Sequence, residues 1–242
     1  MVRPTRAAEH PSGIPGSTRY GDRVPIPEPI LRRTVTLRAK VLHPLAHRAS
    51  VLAVLGARQV LRYAYVGPGD ADRRGFAEFG ERSMVQQPYN LLMGEPAIAI
   101  GEDTLISPGA TLAASPEFDW SPADGPMIRV GSRVWAARGL TVIAHRSIEI
   151  GDDVWFGPDV YLTDAGHDSS NPDVPIGVAM EPAQPVRIGN QSWIGTGVVV
   201  LPGVTIGERV VVGANSVVTG DLPDHCVAVG SPAKVVRRLD AD

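Results

Sequence analysis

The sequence has few of the residue types on which several common classes of protein depend. It contains one cysteine, Cys226, among 242 residues, so an intrachain disulfide is excluded and a reducing compartment is expected. Aromatic residues make up 5% of the chain, and there is no P-loop, CxxC or HExxH motif. The first 28 residues lack the apolar core of a signal peptide. We therefore expect a cytoplasmic protein without a bound metal, in which Cys226 is a small buried residue rather than a nucleophile.

An aliphatic residue recurs at every sixth position in the last third of the chain. The positions are Ile188, Ile194, Val200, Ile206, Val212 and Val218, and glycine follows four of them. A period of six fits neither a helix nor an ordinary strand. It predicts a three-sided prism of short strands, in which the aliphatic residue points inward and glycine leaves room for the bend.

The same period continues upstream in interrupted form. Three triplets have this spacing: Ile100, Ile106 and Leu112; Val130, Ala136 and Val142; Ile150, Phe156 and Leu162. Insertions separate the triplets, with two additional residues near His145, a long excursion around His167, and a segment that holds Asp119 and Trp120. Loops that leave a rigid scaffold often carry function, so these insertions are candidate functional segments.

The region before the repeats has a different composition. Residues 1–28 are rich in proline, glycine and charge and are expected to form a flexible arm. Residues 29–90 are predicted to form a basic helical cap or interaction segment, because the stretch 29–69 has seven Lys or Arg residues and no acid. This helix either covers the end of the prism or faces an anionic membrane or lipid-linked acceptor. Residues 91–242 are predicted to form the prism, with a loop at 163–187 and a tail at 222–242.

The repeats and the segments that follow them resemble a known family. The run VRIGNQSWIGTGVVVLPGVTIG at 186–207, followed by VGANSVVT at 212–219 and VGSPAKVVR at 229–237, resembles the hexapeptide-repeat acyltransferases. The most similar branch contains the maltose, galactoside and exopolysaccharide acetyltransferases. The resemblance covers roughly residues 98–237. It implies a mainly β fold, a left-handed parallel β-helix, assembled as a homotrimer with active sites between neighbouring prisms and acetyl-CoA or another acyl-CoA as donor.

The resemblance also implies the catalytic residues. His167, in the segment Leu162-Thr-Asp-Ala-Gly-His, occupies the position of the family's catalytic histidine. Histidine titrates near neutral pH and is suited to remove the proton of an attacking hydroxyl. Asp164 and Asp168 flank it, and either is expected to orient the ring. The backbone N–H of Thr196 is expected to stabilise the oxyanion.

Further positions are assigned to donor and acceptor in the same way. Thr196, Ala214 and Thr219 match the pantetheine and nucleotide groove, and Lys234 and Arg237 match cationic positions for the nucleotide phosphates. Gly220 departs from the pattern, because many relatives have lysine there. His145 replaces an aspartate that contacts the sugar in the galactoside enzymes, and it is expected to bind the acceptor, assist His167 or only pack at the corner. Trp135 and Trp193 are candidates for stacking on a sugar, and Trp193 also has a structural explanation.

We therefore predict an acetyl-CoA-dependent O-acetyltransferase that acts on a saccharide or glycoconjugate, with contact to a membrane through residues 29–69 as an option and no nucleic-acid partner. N-acetylation of an amino sugar uses the same machinery and is an alternative. A catalytically silent trimeric scaffold is another alternative, although His167 is present. A carbonic anhydrase-like metalloenzyme is disfavoured, because only His145 and His167 fall within the coils.

Overall fold

A helix forms part of the basic N-terminal region. The computed structural model describes residues 43–61, 64–67, 69–115 and 120–239, and the chain divides into two compact units between Leu55 and Gly56. Helix α1 spans His43–Leu61. The described side chains of this helix, at positions 46–57, are exposed. Residues 29–42 of the predicted segment lie outside the described residues, so the roles of cap and membrane contact stay predictions.

The second unit consists of short strands that coil into a three-sided prism. The strands are β1 Tyr65–Val66, β2 Glu78–Phe79, β3 Met84–Gln86, β4 Leu91–Met93, β5 Ile98–Ile100, β6 Leu105–Ile106, β7 Thr111–Ala114, β8 Ile128–Val130, β9 Trp135–Ala136, β10 Thr141–Ala144, β11 Ile148–Ile150, β12 Trp155–Phe156, β13 Tyr161–Thr163, β14 Val186–Ile188, β15 Trp193–Ile194, β16 Val199–Val200, β17 Thr205–Ile206, β18 Val211–Val212, β19 Val217–Val218, β20 Cys226–Gly230 and β21 Ala233–Arg238.

Each side of the prism is one sheet. Side A has the order β1-β3-β6-β9-β12-β15-β18-β20-β21, side B the order β17-β14-β11-β8-β5-β2, and side C the order β19-β16-β13-β10-β7-β4. Strands of neighbouring coils pair in parallel, whereas β1 and β21 pair with β3 and β20 of side A in antiparallel orientation. The chain runs from side B to side A to side C in each coil. The fold is the predicted left-handed parallel β-helix of hexapeptide repeats.

The interior of the prism is aliphatic, as the period of six predicts. All six positions from Ile188 to Val218 are buried, and so are the three upstream triplets. The residue two positions before each of them also points inward, for example Val186 and Val198, because side chains alternate along a strand. Phe156 is a large ring inside the prism, and it lies opposite the small Ala136 of the preceding coil. Large and small side chains therefore complement each other in neighbouring layers.

Glycine at the edge between sides B and A is required by the distance between coils. A Cβ atom on Gly189 would lie 2.5 Å from the carbonyl carbon of Gly207, and one on Gly131 would lie 2.5 Å from the carbonyl oxygen of Gly151. Buried hydroxyls further join the coils at this edge. Ser192 Oγ donates to the Gly207 carbonyl at 3.0 Å and accepts from the Val210 N–H at 3.0 Å. The lack of a side chain at these glycines and the hydrogen bonds of the buried hydroxyl together determine the distance between neighbouring coils.

The prism begins earlier than the boundary predicted at residue 91. Strands β2, β3 and β4 form a complete additional coil, which pairs in register with β5, β6 and β7. The segment 29–90 is therefore not a helical segment throughout. Its last part contributes Val85 to the core, and Phe76 and Phe79 pack edge to face with centroids 5.1 Å apart. The strands from β2 to β19 therefore form six coils, and the rings of Phe76 and Phe79 lie at the first coil.

Candidate active site

The three insertions between the aliphatic triplets lie at one edge of the prism, where each coil passes from side C to side B. We call this the C–B edge. After β7 the chain makes the segment 115–127, after β10 the turn 145–147, and after β13 the loop 164–185. In the coil that follows, the inward residues Val200 and Ile206 are six positions apart, so the chain has no insertion at this edge. Because β7, β10 and β13 are neighbours on side C, the three insertions leave the prism next to one another.

His167 lies in the first part of the loop, where a short antiparallel contact gives the loop its shape. His167 bridges to Met180, the Asp168 N–H donates to the Ala179 carbonyl at 3.1 Å, and the Glu181 N–H donates to the Gly166 carbonyl at 2.9 Å. The His167 side chain is exposed, and its Nδ1 lies 3.2 Å from the Ala179 carbonyl oxygen. A carbonyl only accepts hydrogen bonds, so Nδ1 is the donor and Nε2 of the neutral ring has a free lone pair.

Asp164 does not make the predicted contact with the His167 ring. Its side chain is fully buried, and its two oxygens accept the backbone N–H groups of His145 at 2.8 Å, Arg146 at 2.8 Å and Ser147 at 2.7 Å. The carboxylate therefore holds the backbone of the preceding coil. The expectation that it orients the histidine ring directly is wrong, because the short side chain at the foot of the loop points back toward the turn after β10.

Asp168 does not contact the ring either. Its Oδ1 accepts the Ser170 N–H at 2.7 Å inside the exposed loop. Hydrogen bonds from the Ser170 side chain and backbone lower the pKa of Asp168 below its ordinary value. The group that fixes the His167 ring is the carbonyl of Ala179. A backbone carbonyl leaves no signal in the sequence, so this partner was not predicted.

Thr196 lies at the edge where side A passes to side C, which we call the A–C edge. Its N–H group has no hydrogen-bond partner among the described residues, although its carbonyl accepts the Asn215 N–H at 2.8 Å. The register of side A aligns Thr196 with Pro108 and Pro158 of earlier coils. Proline has no N–H, so the ladder between coils does not use the amide at this position. The Thr196 N–H is therefore free to donate to a ligand.

The structure keeps His167 and Thr196 apart within one protomer. His167 follows β13, whereas Thr196 precedes β16, and these two strands pair in parallel on side C. The two residues therefore lie at opposite ends of that side. A single prism does not bring the predicted base and the predicted oxyanion donor together.

The predicted donor residues surround the C-terminal end of the prism. Ala214 is exposed at the A–C edge, one coil after Thr196. Thr219 and Lys234 line the same pocket of about 210 Å³, which also includes Gly220. Lys234 pairs with Val229 and Arg237 pairs with Val227 on the terminal hairpin.

A β-bulge in this hairpin places Lys234 and Arg237 on the same face. Without it, a spacing of three residues would place Lys234 and Arg237 on opposite faces. The register shifts between Val227 and Ala228, so both cations share the face of Val227 and Val229. Val227 continues the outward row of side A, because it pairs with Val211. The hairpin therefore presents two positive charges on one surface.

Three tryptophans form a row on the outer face of side A. Trp135, Trp155 and Trp193 occupy the same position in consecutive coils and are 40%, 55% and 57% exposed. The rings of Trp135 and Trp155 have centroids 5.3 Å apart. Side A lies opposite the C–B edge, so within a protomer Trp135 and Trp193 are not near His167. Their role in stacking on a sugar stays a prediction.

His145 is half-buried in the turn after β10, one coil before the His167 loop. Its N–H is held by Asp164, as described above, so the structure brings His145, Asp164 and the foot of the His167 loop to one edge. Trp120 belongs to the segment after β7, where its Nε1 donates to the Gly125 carbonyl at 2.9 Å. Asp119, the other candidate there, lies outside the described residues.

Cys226 has the environment expected of a buried apolar residue. Its side chain is fully buried, and burial raises the pKa of the thiol above its usual value. Across the described ranges, no group of three or more His, Cys, Asp or Glu side chains is placed to hold a metal ion. No helix in the described part of the chain has both the length and the apolar character needed to cross a membrane.

Comparison with known proteins identifies the family. The bacterial transferase hexapeptide family (six repeats) matches residues 185–220. The galactoside O-acetyltransferase of Lactococcus lactis is 34% identical over 164 residues, which is 67% of this chain and 74% of the relative. The Escherichia coli enzyme of the same name is 39% identical over 48% of this chain and 56% of its own length, so the chain spans about half of that relative. The chain belongs to the hexapeptide-repeat acetyltransferases.

A solved structure has a similar fold. AntD, an N-acyltransferase from Bacillus cereus in complex with dTDP and 3-hydroxybutyryl-CoA, superimposes with a TM-score of 0.60 at 20% sequence identity. The match covers 73% of this chain and 90% of that protein. At this identity the likeness concerns the fold alone, and it agrees with the prism described above.

Proposed function

We propose that this protein is an acetyl-CoA-dependent O-acetyltransferase that acts on a saccharide or glycoconjugate hydroxyl. The observation that carries the proposal is the hydrogen bond of His167 Nδ1 with the Ala179 carbonyl at 3.2 Å, because Nδ1 is then the donor and the lone pair of a neutral ring lies on Nε2. Such a ring is prepared to accept a proton from a hydroxyl. Relatives in the same family, named galactoside O-acetyltransferases, support a sugar as the acceptor.

The reaction is a direct transfer. His167 Nε2 takes the proton of the acceptor hydroxyl while its oxygen forms a bond to the thioester carbonyl carbon. The tetrahedral intermediate then expels the thiolate of coenzyme A, and the imidazolium returns the proton to that thiolate. Because the thiolate is a good leaving group, no acyl-enzyme is needed. The free N–H of Thr196 is the proposed donor to the oxyanion.

The proposed site is completed by a neighbouring protomer in a homotrimer. The separation of His167 and Thr196 at opposite ends of side C supports a site shared between protomers. If His167 of one prism faces Thr196 of the next, the donor thioester lies between them. Lys234 and Arg237, on a shared face of the terminal hairpin, are then the proposed partners of the coenzyme A phosphates. His145 is the proposed acceptor contact, since it shares the C–B edge with His167.

The first experiment follows release of free thiol from acetyl-CoA with a panel of sugars and amino sugars. His167→Ala is expected to lower acceptor-dependent release by about a hundredfold or more, because a general base contributes about 10² to 10⁴ in rate.

Thr196→Pro removes the N–H and introduces the residue type that Pro108 and Pro158 already place at the aligned position of earlier coils. We expect a loss of about a hundredfold or more, as for other oxyanion donors. Thr196→Ala keeps the N–H and serves as the matched control.

Mixing the two inactive variants tests the interface. Co-expressed His167→Ala and Thr196→Pro subunits should regain activity, because some interfaces combine an intact histidine with an intact amide. Activity in His167→Ala equal to wild type would contradict the role of His167 as the general base. Thiol release with amino sugars alone would make the protein an N-acetyltransferase, and a protein that neither binds coenzyme A nor releases thiol would be a scaffold.

A further inference from the structure

Asp164 is a buried carboxylate whose three hydrogen bonds all go to backbone of a different coil. Its Oδ1 accepts the His145 N–H at 2.8 Å, and its Oδ2 accepts the Arg146 and Ser147 N–H groups at 2.8 and 2.7 Å. The side chain is fully buried. A buried charge is costly unless it is hydrogen-bonded, and here three charge-assisted bonds offset that cost. No step of the proposed reaction uses this group.

The turn after β10 explains why a carboxylate is needed. At the same edge one coil earlier, the Ser115 N–H donates to the Ala144 carbonyl of the next coil at 2.9 Å. One coil later, the register of side C makes the carbonyl of Asp164 the equivalent acceptor for the His145 N–H, but this carbonyl accepts the Gln184 N–H at 2.7 Å. Backbone donors that the ladder leaves without a carbonyl need another acceptor. The carboxylate of Asp164 accepts the N–H groups of His145, Arg146 and Ser147.

Asp164 also holds the returning end of the loop. Its own carbonyl accepts the Gln184 N–H at 2.7 Å, just before the chain enters β14. The Gln184 carbonyl in turn accepts the Gly203 N–H of the next coil at 3.0 Å. Asp164, the first residue of the loop that carries His167, therefore connects the turn that carries His145 to the end of that loop.

We propose that Asp164 is a positioning residue, which fixes the His145 turn against the foot of the His167 loop through backbone contacts rather than through the histidine ring. The kinetic part of this inference rests on the proposed function. A displacement of about 1 Å between an acceptor contact and a base costs up to roughly a hundredfold in rate. The placement of both groups thus depends on one carboxylate that does not touch the substrate.

The test is Asp164→Asn. An amide keeps the size of the side chain but replaces one oxygen by an NH₂ donor, so at least one of the three N–H groups loses its acceptor in either orientation. We expect kcat with the acceptor to fall by about tenfold to a hundredfold, with an unchanged coenzyme A affinity by calorimetry. We also expect the imidazole ¹⁵N resonances of His145 and His167 to shift, whatever the activity of the enzyme.

Two control variants separate positioning from general stability. Asp173→Asn changes an exposed carboxylate further along the same loop and should leave kcat close to wild type. Asp152→Asn changes a carboxylate that accepts the Ser132 N–H at 2.8 Å at the edge between sides B and A. That variant should lower the melting temperature without changing the acceptor kinetics or the histidine resonances.

The outcomes are distinct. An Asp164→Asn protein that melts earlier but keeps wild-type kcat and histidine resonances would overturn the proposal. If the wild type releases no thiol, the proposed function fails, and the histidine resonances of the variant still decide the role of Asp164. If the variant does not fold, hydrogen exchange of the wild type decides instead. The amides of residues 145–147 should then be as protected from exchange as the amides of the strands. Exchange as fast as at the tip of the loop 164–185 would contradict the proposal.

Discussion

Replacing Gly189 by alanine should destabilise the prism more than its single added methyl group suggests. A Cβ atom at this position would lie 2.5, 2.6 and 2.7 Å from three backbone atoms of Gly207 and Glu208. These atoms cannot turn aside as a flexible side chain can. The neighbouring coil is held at this point by the Gly189 N–H, which donates to the Ile206 carbonyl at 2.7 Å. Relief of the overlap therefore requires the two coils to separate and this hydrogen bond to lengthen.

The expected cost is at the upper end of the range for overpacked cores, about 3 kcal/mol. For a unit of this size that corresponds to a fall of roughly 6–12 °C in melting temperature. Far-UV circular dichroism at one protein concentration and one scan rate gives the comparison, since assembly and irreversible unfolding both move an apparent melting temperature. Gly177→Ala is the matched control, because nothing lies within 4 Å of its Cβ position.

Equal melting of Gly189→Ala and wild type would refute the reasoning. It would mean that the coils can separate at this edge without a measurable cost, and that glycine after the inward aliphatic residue has another cause. A Gly177→Ala protein that loses as much stability as Gly189→Ala would refute it as well, because the effect would then not depend on the clash.

The remaining predictions concern the core, the thiol, the loop and the donor pocket. Phe156→Ala leaves a cavity between coils and should cost about 3–5 kcal/mol, measured by thermal melting. Cys226, whose pKa is raised by burial, should react with a thiol reagent at pH 8 only after unfolding, and rapid labelling of the folded protein would contradict this. Ser170→Ala should raise the pKa of Asp168 in a ¹³C NMR titration. The loop turn is accordingly stabilised above the ordinary carboxyl pKa and loosens as the pH falls through the lowered value. Gly220→Lys has open space around its Cβ and should tighten coenzyme A binding in a salt-dependent manner, which calorimetry would measure.

The hexapeptide period predicts the prism because each inward position faces the same environment. All six residues from Ile188 to Val218 are buried in consequence. The first coil was not predicted, since Phe79 replaces an aliphatic residue and one additional residue separates Val85 from Leu92. Gly80 after Phe79 was the available signal. Its Cβ would lie 2.3 Å from the backbone of Gly101, as at the other glycine corners.

The site was predictable to the extent that it depends on where the repeat breaks. An insertion after an inward aliphatic residue marks the C–B edge, and this located His145 and His167. The partners of their backbone and ring atoms were not predictable. Ala179 acts through a carbonyl, and Asp164 accepts three backbone N–H groups of the preceding coil. Neither fact follows from residue type or spacing.

The ladder between coils explains why the proposed reactive groups lie at edges rather than on sides. On a side, the backbone N–H and carbonyl groups bond to the preceding or the following coil. At the A–C edge the ladder omits one N–H per coil, and proline fills that position twice, so Thr196 retains an amide that a ligand can use. At the C–B edge the chain makes insertions, and Asp164 accepts three backbone N–H groups there. Since these two edges bound the same side, a strand's length separates the amide from the imidazole in one prism. Two prisms side by side remove that separation without any change in the ladder, which is the physical reason to expect the active site between protomers.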